Sequence, residues 1–251
     1  MYSDFVYGLV RDSGVSPTAT KKELTPCPLG VLVMKSSLNN EEVFMAMTDF
    51  HDNFLFLLRW IHIMAGITWI GHLYFFNFVN VPFQGVLAKE IKPQVNPILL
   101  SRALWWFRWG AMITFLAGWL LLLVKYGHGD WALMFDPTDG KMTHRAMWIL
   151  FGGTLGTIMW FNVWFIIWPI QKQLLTWMKA GTTPPEAAGM AKKALLASRT
   201  NTFLSGPMLF GMIAPNNYPS INGVTLIAVV VVAEVIIWGL IKMSAKAGAE
   251  L

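Results

Sequence analysis

Arg59-Trp-Ile-His-Ile-Met-Ala-Gly-Ile-Thr-Trp-Ile-Gly-His-Leu-Tyr-Phe-Phe-Asn-Phe78 is twenty residues of almost unbroken apolar character. As a helix it covers roughly 30 Å, the thickness of a bilayer's hydrocarbon core. It nevertheless carries His62 and His72. An ionisable side chain at that depth is costly to hold and points to function. Imidazole in a membrane helix serves as a haem ligand, a proton relay or a polar clamp to a neighbouring helix, and the pattern favours the first.

The rest of the chain agrees with a membrane reading. Of 251 residues, 55% are hydrophobic and 13% charged, against about 25% charged in a soluble domain. Thirteen tryptophans and seventeen phenylalanines suit the aromatic belts of membrane helices. The net charge of +5 implies no nucleic-acid partner, because the basic residues lie in loops between apolar runs, where they set orientation. Cys27 is the single cysteine. It permits no intrachain disulfide, no cysteine metal cluster and no CxxCH attachment, so a haem held by this chain alone is non-covalent.

Five segments are long enough to span: 53–81, 103–125, 144–170, 195–214 and 222–243. The fourth is the weakest, because Arg199 sits near its start and Pro207 interrupts it. Only helices satisfy their own backbone in lipid without closing into a barrel, so the fold class is an all-α integral membrane bundle of about five transmembrane helices. Residues 1–52 read as an extramembrane leader, disordered or a mis-called start, with Met34, Met45 and Met47 as other possible starts. Residues 53–243 form the transmembrane domain and 244–251 a cytoplasmic tail. Loops 84–102 and 171–199 are rich in Lys and Arg, whereas loop 126–143 holds Asp130, Asp136 and Asp139. That alternation predicts a multi-pass protein of the bacterial inner membrane, N-terminus outside and C-terminus cytoplasmic.

His62 and His72 are ten positions apart, about 15 Å along one helix, and cannot clamp the same iron. Each needs a partner from another helix. For His62, haem ligation stands beside an interhelical hydrogen bond; for His72 the structural role is favoured over metal ligation. Gly66 lies one turn after His62 and would let a flat ring approach. His144 opens the third span on the side where span 1 begins, so it is the candidate second ligand, or else an interfacial helix start. Arg59, Arg108 and Arg145 could pair with haem propionates, since guanidinium matches carboxylate, or snorkel to the interface. Gly152 and Gly156 form a GxxxG pair suited to helix packing. Glu234, midway along the fifth span, must be protonated, paired or hydrated; Asn162 is one candidate partner. Met64, Met112, Met159, Met208 and Met212 are more readily packing than ligands.

Thr157-Ile-Met-Trp-Phe-Asn-Val-Trp-Phe-Ile-Ile-Trp-Pro-Ile-Gln-Lys172, followed by Lys179-Ala-Gly-Thr-Thr-Pro-Pro185 and Asn216-Asn-Tyr-Pro219, resembles the membrane domain of the bacterial urate hydroxylase family, as does Leu58–Gly71. The resemblance covers most of residues 53–220. It implies a domain that is typically joined to a C-terminal cytochrome c and passes to it the electrons of urate oxidation. His62 and His144 match family histidines. Thr200 and Asn217 stand where the family has histidine, and His72 stands at a small-residue position. Set against the family domain, the chain reads as a short version, without a pair of spans between spans 2 and 3 and without the cytochrome c domain. The expectation is therefore an integral membrane redox protein. It would bind haem b through His62 and His144, with Gly66, Arg59 and Arg145 around it, and transfer electrons to a c-type cytochrome or quinone. The alternatives are a non-redox structural subunit of a membrane complex, and oxidation of a purine such as urate.

Overall fold

Helices α1 (Asn40–Tyr74), α2 (Val81–Val86), α3 (Lys92–Tyr126), α4 (His144–Phe161), α5 (Trp168–Lys179), α6 (Ala187–Asn217) and α7 (Gly223–Ser244) follow one another in the computed structural model. The structure describes residues 40–127, 134–218 and 220–247, with side chains from Asp49 onward. The expected leader lies, over residues 1–39, outside the described residues. The chain divides between Met45 and Ala46, and everything that follows concerns Ala46–Leu251. No strand occurs among the described residues beyond one isolated bridge between Phe135 and Met142.

Two joints turn these helices into longer rods. Phe75–Asn80 and Asn162–Ile167 are π-helical turns that join α1 to α2 and α4 to α5 without a break. Each is followed by a proline, Pro82 and Pro169, in the first turn of the next helix. Proline has no N–H to give the preceding turn. The residue before it reaches one further back: the Val81 N–H donates to the Phe76 carbonyl and the Trp168 N–H to the Val163 carbonyl. The rods therefore run past the expected ends of the first and third spans.

Asp49–Val86, Lys92–Tyr126, His144–Lys179 and Gly223–Ser244 are long and apolar enough to cross a membrane. The chain is a multi-pass, all-α membrane protein. The remaining rod, α6, is less apolar and packs along α4, α7 and the second π turn. Its polarity has a structural cause. Asn201, Thr202 and Ser205 are fully buried, where protein rather than lipid must supply their partners. Asn201 donates its amide to the Met159 carbonyl at 2.9 Å and accepts from the Asn162 amide at 2.8 Å. The Asn77 amide donates to Ser198 Oγ at 2.8 Å. Ser205 gives its proton to the Thr202 carbonyl, so the Tyr74 hydroxyl donates to Ser205 Oγ, at 3.0 Å. Both π turns thus present an asparagine to α6. Asn201→Leu removes two of these bonds and should cost about 1–2 kcal/mol, read as a lower unfolding midpoint in detergent at unchanged helix content.

Close backbone crossings hold the rods together. A Cβ on Gly110 would lie 3.1 Å from the Trp69 nitrogen, and one on Gly211 would lie 2.9 Å from the Gly152 Cα. Trp69, Leu73, Leu104, Phe107, Met159, Val163 and Met208 fill the core between these crossings. Met159 and Met208 are therefore packing residues, as their sequence setting suggested.

The loop before α4 is a tight hairpin. Its Gly140 has φ +67°, a conformation glycine takes without a Cβ penalty. Asp136 accepts from the Thr138 hydroxyl and, at 2.8 Å, from the Thr138 N–H. These two bonds hold its carboxyl below the usual carboxylate range. A depressed acid favours the folded loop above its ordinary pKa, and that contribution is lost as pH falls through the folded value. Thr138→Val should bring the Asp136 titration, followed by NMR, back up toward the ordinary range.

Candidate functional site

His62 is turned from α1 onto α3. Its Nδ1 lies 2.8 Å from the Thr114 carbonyl oxygen. A carbonyl only accepts, so Nδ1 carries the proton and Nε2 keeps its lone pair. In α3 that carbonyl is already the acceptor for the N–H four residues on, which belongs to Gly118. A second donor reaches it because position 118 has no side chain. A Cβ there would sit 2.8 Å from His62 Cε1 and 2.9 Å from Nδ1. A backbone carbonyl on one ring nitrogen is the arrangement that fixes the tautomer and orientation of metal-ligating imidazoles.

Three cations from three helices lie at the same end of the bundle. Arg59 is three residues before His62 on α1, and Lys125 closes the last turn of α3. Lys125 lies within the fields of both Arg145, at the start of α4, and Arg59. Lys125 thus stands between the reach of the two arginines singled out in the sequence. Arg108 belongs elsewhere. Its guanidinium carbon lies 3.9 Å from the Trp168 ring centre, with Trp109 and Trp164 within 5.9 Å, and the Trp164 indole donates to its carbonyl at 3.1 Å. This cation is held by aromatic faces, with no carboxylate in salt-bridge contact among the described residues.

The other expected residues make contacts of their own. His144 is exposed at the start of α4, next to the N-cap Thr143, whose hydroxyl accepts from the Ala146 N–H. Its Nδ1 accepts the Ile221 N–H at 3.3 Å, which leaves the proton on Nε2 and ties α4 to the turn before α7. Gly66 faces Thr114, whose Cγ2 would lie 3.8 Å from an added Cβ; its open side is filled by α3. His72 donates Nδ1–H to the Thr68 carbonyl of its own helix at 2.7 Å. Asn162 gives its amide to Asn201, and no hydrogen bond joins it to Glu234 among the described residues. No cluster of three or more His, Cys, Asp or Glu side chains arranged to hold a metal ion occurs among the described residues.

Gly118 and Thr114 were not singled out from the sequence, though a signal was present. Gly110, Thr114 and Gly118 recur every four residues, which places a stripe of small residues along one helix face and marks a close crossing.

A haem b would find two of its needs met by this chain. One is an imidazole whose tautomer leaves Nε2 free. The other is a cationic end to receive propionates. His144 would offer such a group no free lone pair in this arrangement, since its Nδ1 accepts the Ile221 N–H and its Nε2 carries the proton.

No curated protein and no solved structure matches the chain significantly. Residues 138–244 match the family model described as urate oxidase N-terminal, a stretch that takes in α4 to α7 with His144 and Arg145 but leaves out α1 and His62. Over that stretch the chain is similar to the urate oxidase N-terminal family.

Proposed function

We propose that the chain is a membrane-integral redox module that binds haem b through His62 Nε2. It would exchange electrons with a c-type cytochrome or a quinone in the bacterial inner membrane, with its N-terminus outside. The observation that carries this reading is the His62 ring, pinned by its Nδ1–H to a main-chain carbonyl and seated on a glycine, below the cationic end formed by Arg59, Lys125 and Arg145. When bound, haem b supplies a one-electron iron couple. The chain's own residues do the rest. The Thr114 carbonyl holds the imidazole in place and raises its basicity. The three cations receive carboxylates at the membrane edge. The half-buried ring keeps its Nε2 edge open to a ligand.

The family match supports an oxidoreductase setting, and a purine such as urate is the electron donor its name suggests. The basic loops support the orientation. A second reading has a specific observation behind it: the same His62–Thr114 bond is a complete interhelical clamp without any cofactor, as in a structural subunit. A reduced-minus-oxidised spectrum with pyridine haemochrome typing separates the two. A b-type signal is expected from protein produced with ample haem. Absence of Soret absorbance would leave the structural subunit.

A further inference from the structure

The far end of the α1–α3 pair from Lys125 carries a second polar site. A groove of about 540 Å³ runs there between the two helices, with Gly71, His72 and Phe75 on one wall and Arg102, Ala103 and Trp106 on the other. That volume falls in the range of small-ligand sites, roughly 300–1,000 Å³. Nothing lies within 4 Å of where a Gly71 Cβ would stand, so a strip of the α1 wall is open to a flat ring.

The hydrogen-bonding state of His72 selects the ligand. Its Nδ1–H is spent on the Thr68 carbonyl, so the neutral ring offers Nε2 as an acceptor. No protein donor reaches that nitrogen among the described residues. Arg102 spends one N–H on the Ile98 carbonyl at 3.3 Å and keeps others free. The groove thus offers an acceptor and a donor beside aromatic and apolar walls, within the membrane-crossing rods. The phosphodiester of a phospholipid satisfies Arg102 alone, and a proton for Nε2 must then come from a separate headgroup hydroxyl or ammonium. A hydroquinone satisfies both, donating one O–H to Nε2 and accepting at its second oxygen from Arg102, with its apolar tail left in lipid.

We propose that this groove is a binding site for a membrane quinol, held between His72 Nε2 and the Arg102 guanidinium with its ring over Gly71. It needs no haem, so loss of the Soret reading leaves it intact. The reduced ligand makes a hydrogen bond that the oxidised ligand cannot, and should bind about 2- to 12-fold more tightly, the span of one net hydrogen bond.

Photolabelling with an azido-ubiquinone in nanodiscs of phosphatidylethanolamine and phosphatidylglycerol tests this. Label is expected on peptides bearing Phe75 and Trp106, displaced more strongly by decylubiquinol than by decylubiquinone. His72→Leu should make the two competitors equal, and Arg102→Gln should weaken both. Gly71→Leu should abolish the label in a protein of unchanged helix content, because its side chain enters open space. Label spread evenly over lipid-facing helices such as α7, or unchanged in Gly71→Leu, would overturn the proposal. So would displacement by added phosphatidylglycerol and not by decylubiquinol, which would mark a lipid headgroup site.

Discussion

His62→Ala is expected to remove the haem-b Soret band from the purified protein, while His144→Ala leaves it in place. The difference follows from the tautomers. His62 holds its proton on Nδ1 against Thr114 and exposes a lone pair; His144 uses its Nδ1 lone pair to accept from Ile221. Alanine at 62 leaves no imidazole at that depth of the α1–α3 crossing to take over. Gly118→Val gives an independent check, because it leaves every candidate ligand chemically intact. Its branched side chain would begin 2.8 Å from the ring carbon, force the imidazole off the Thr114 carbonyl and reduce haem content without touching His62 itself. A normal Soret band in His62→Ala would remove the ligand assignment.

Gly211→Leu should be the most destabilising single substitution in the bundle. Its Cβ would stand 2.9 Å from the Gly152 Cα, 3.0 Å from the Gly152 nitrogen and 3.1 Å from Phe151 Cδ1. Two of these neighbours are backbone and cannot swing aside, so α4 and α6 must part. Overpacking a core costs about 1–3 kcal/mol and occasionally more. The upper end applies here, because the same two helices also share the Asn162–Asn201–Met159 hydrogen bonds. Gly152→Leu should match it, and the double variant should cost less than the sum, since one separation relieves both clashes. Gly153→Leu, whose Cβ meets nothing within 4 Å, should unfold like the unaltered protein in the same detergent titration.

The architecture was legible because lipid demands long apolar runs, and such runs can be read one segment at a time. The weakness of the fourth segment was also a true signal. Asn201, Thr202 and Ser205 depress its hydropathy because α6 is buried by protein on the side where they lie. The π turns were not legible: proline at 82 and 169 reads as an end, and only the chain's return to helical pairing afterwards turns an end into a joint. At the site, His62 stood out through its ionisable ring and its depth. Its seat did not, because Gly118 and Thr114 matter only once α3 is laid against α1, and register between helices is a tertiary property. Arg59 and Arg145 stood out as candidate anion partners by residue type. Lys125 needed the loop before α4 to fold back and bring their ends together.

Each π turn is, in genetic terms, one codon more than an α-helix needs. The extra residue in Phe75–Asn80 rotates everything after it by about 100° relative to a plain helix. That rotation is what carries Gln84 to Asn96, where the two amides bond reciprocally at 2.7 and 3.0 Å, and brings its carbonyl to Lys92 Nζ. A deletion of a single residue there would keep the helix, the hydropathy and every named side chain, yet turn the α2 tip to a different neighbour. Along these rods, insertion and deletion are the larger edits, and a substitution count would understate the distance between two such sequences.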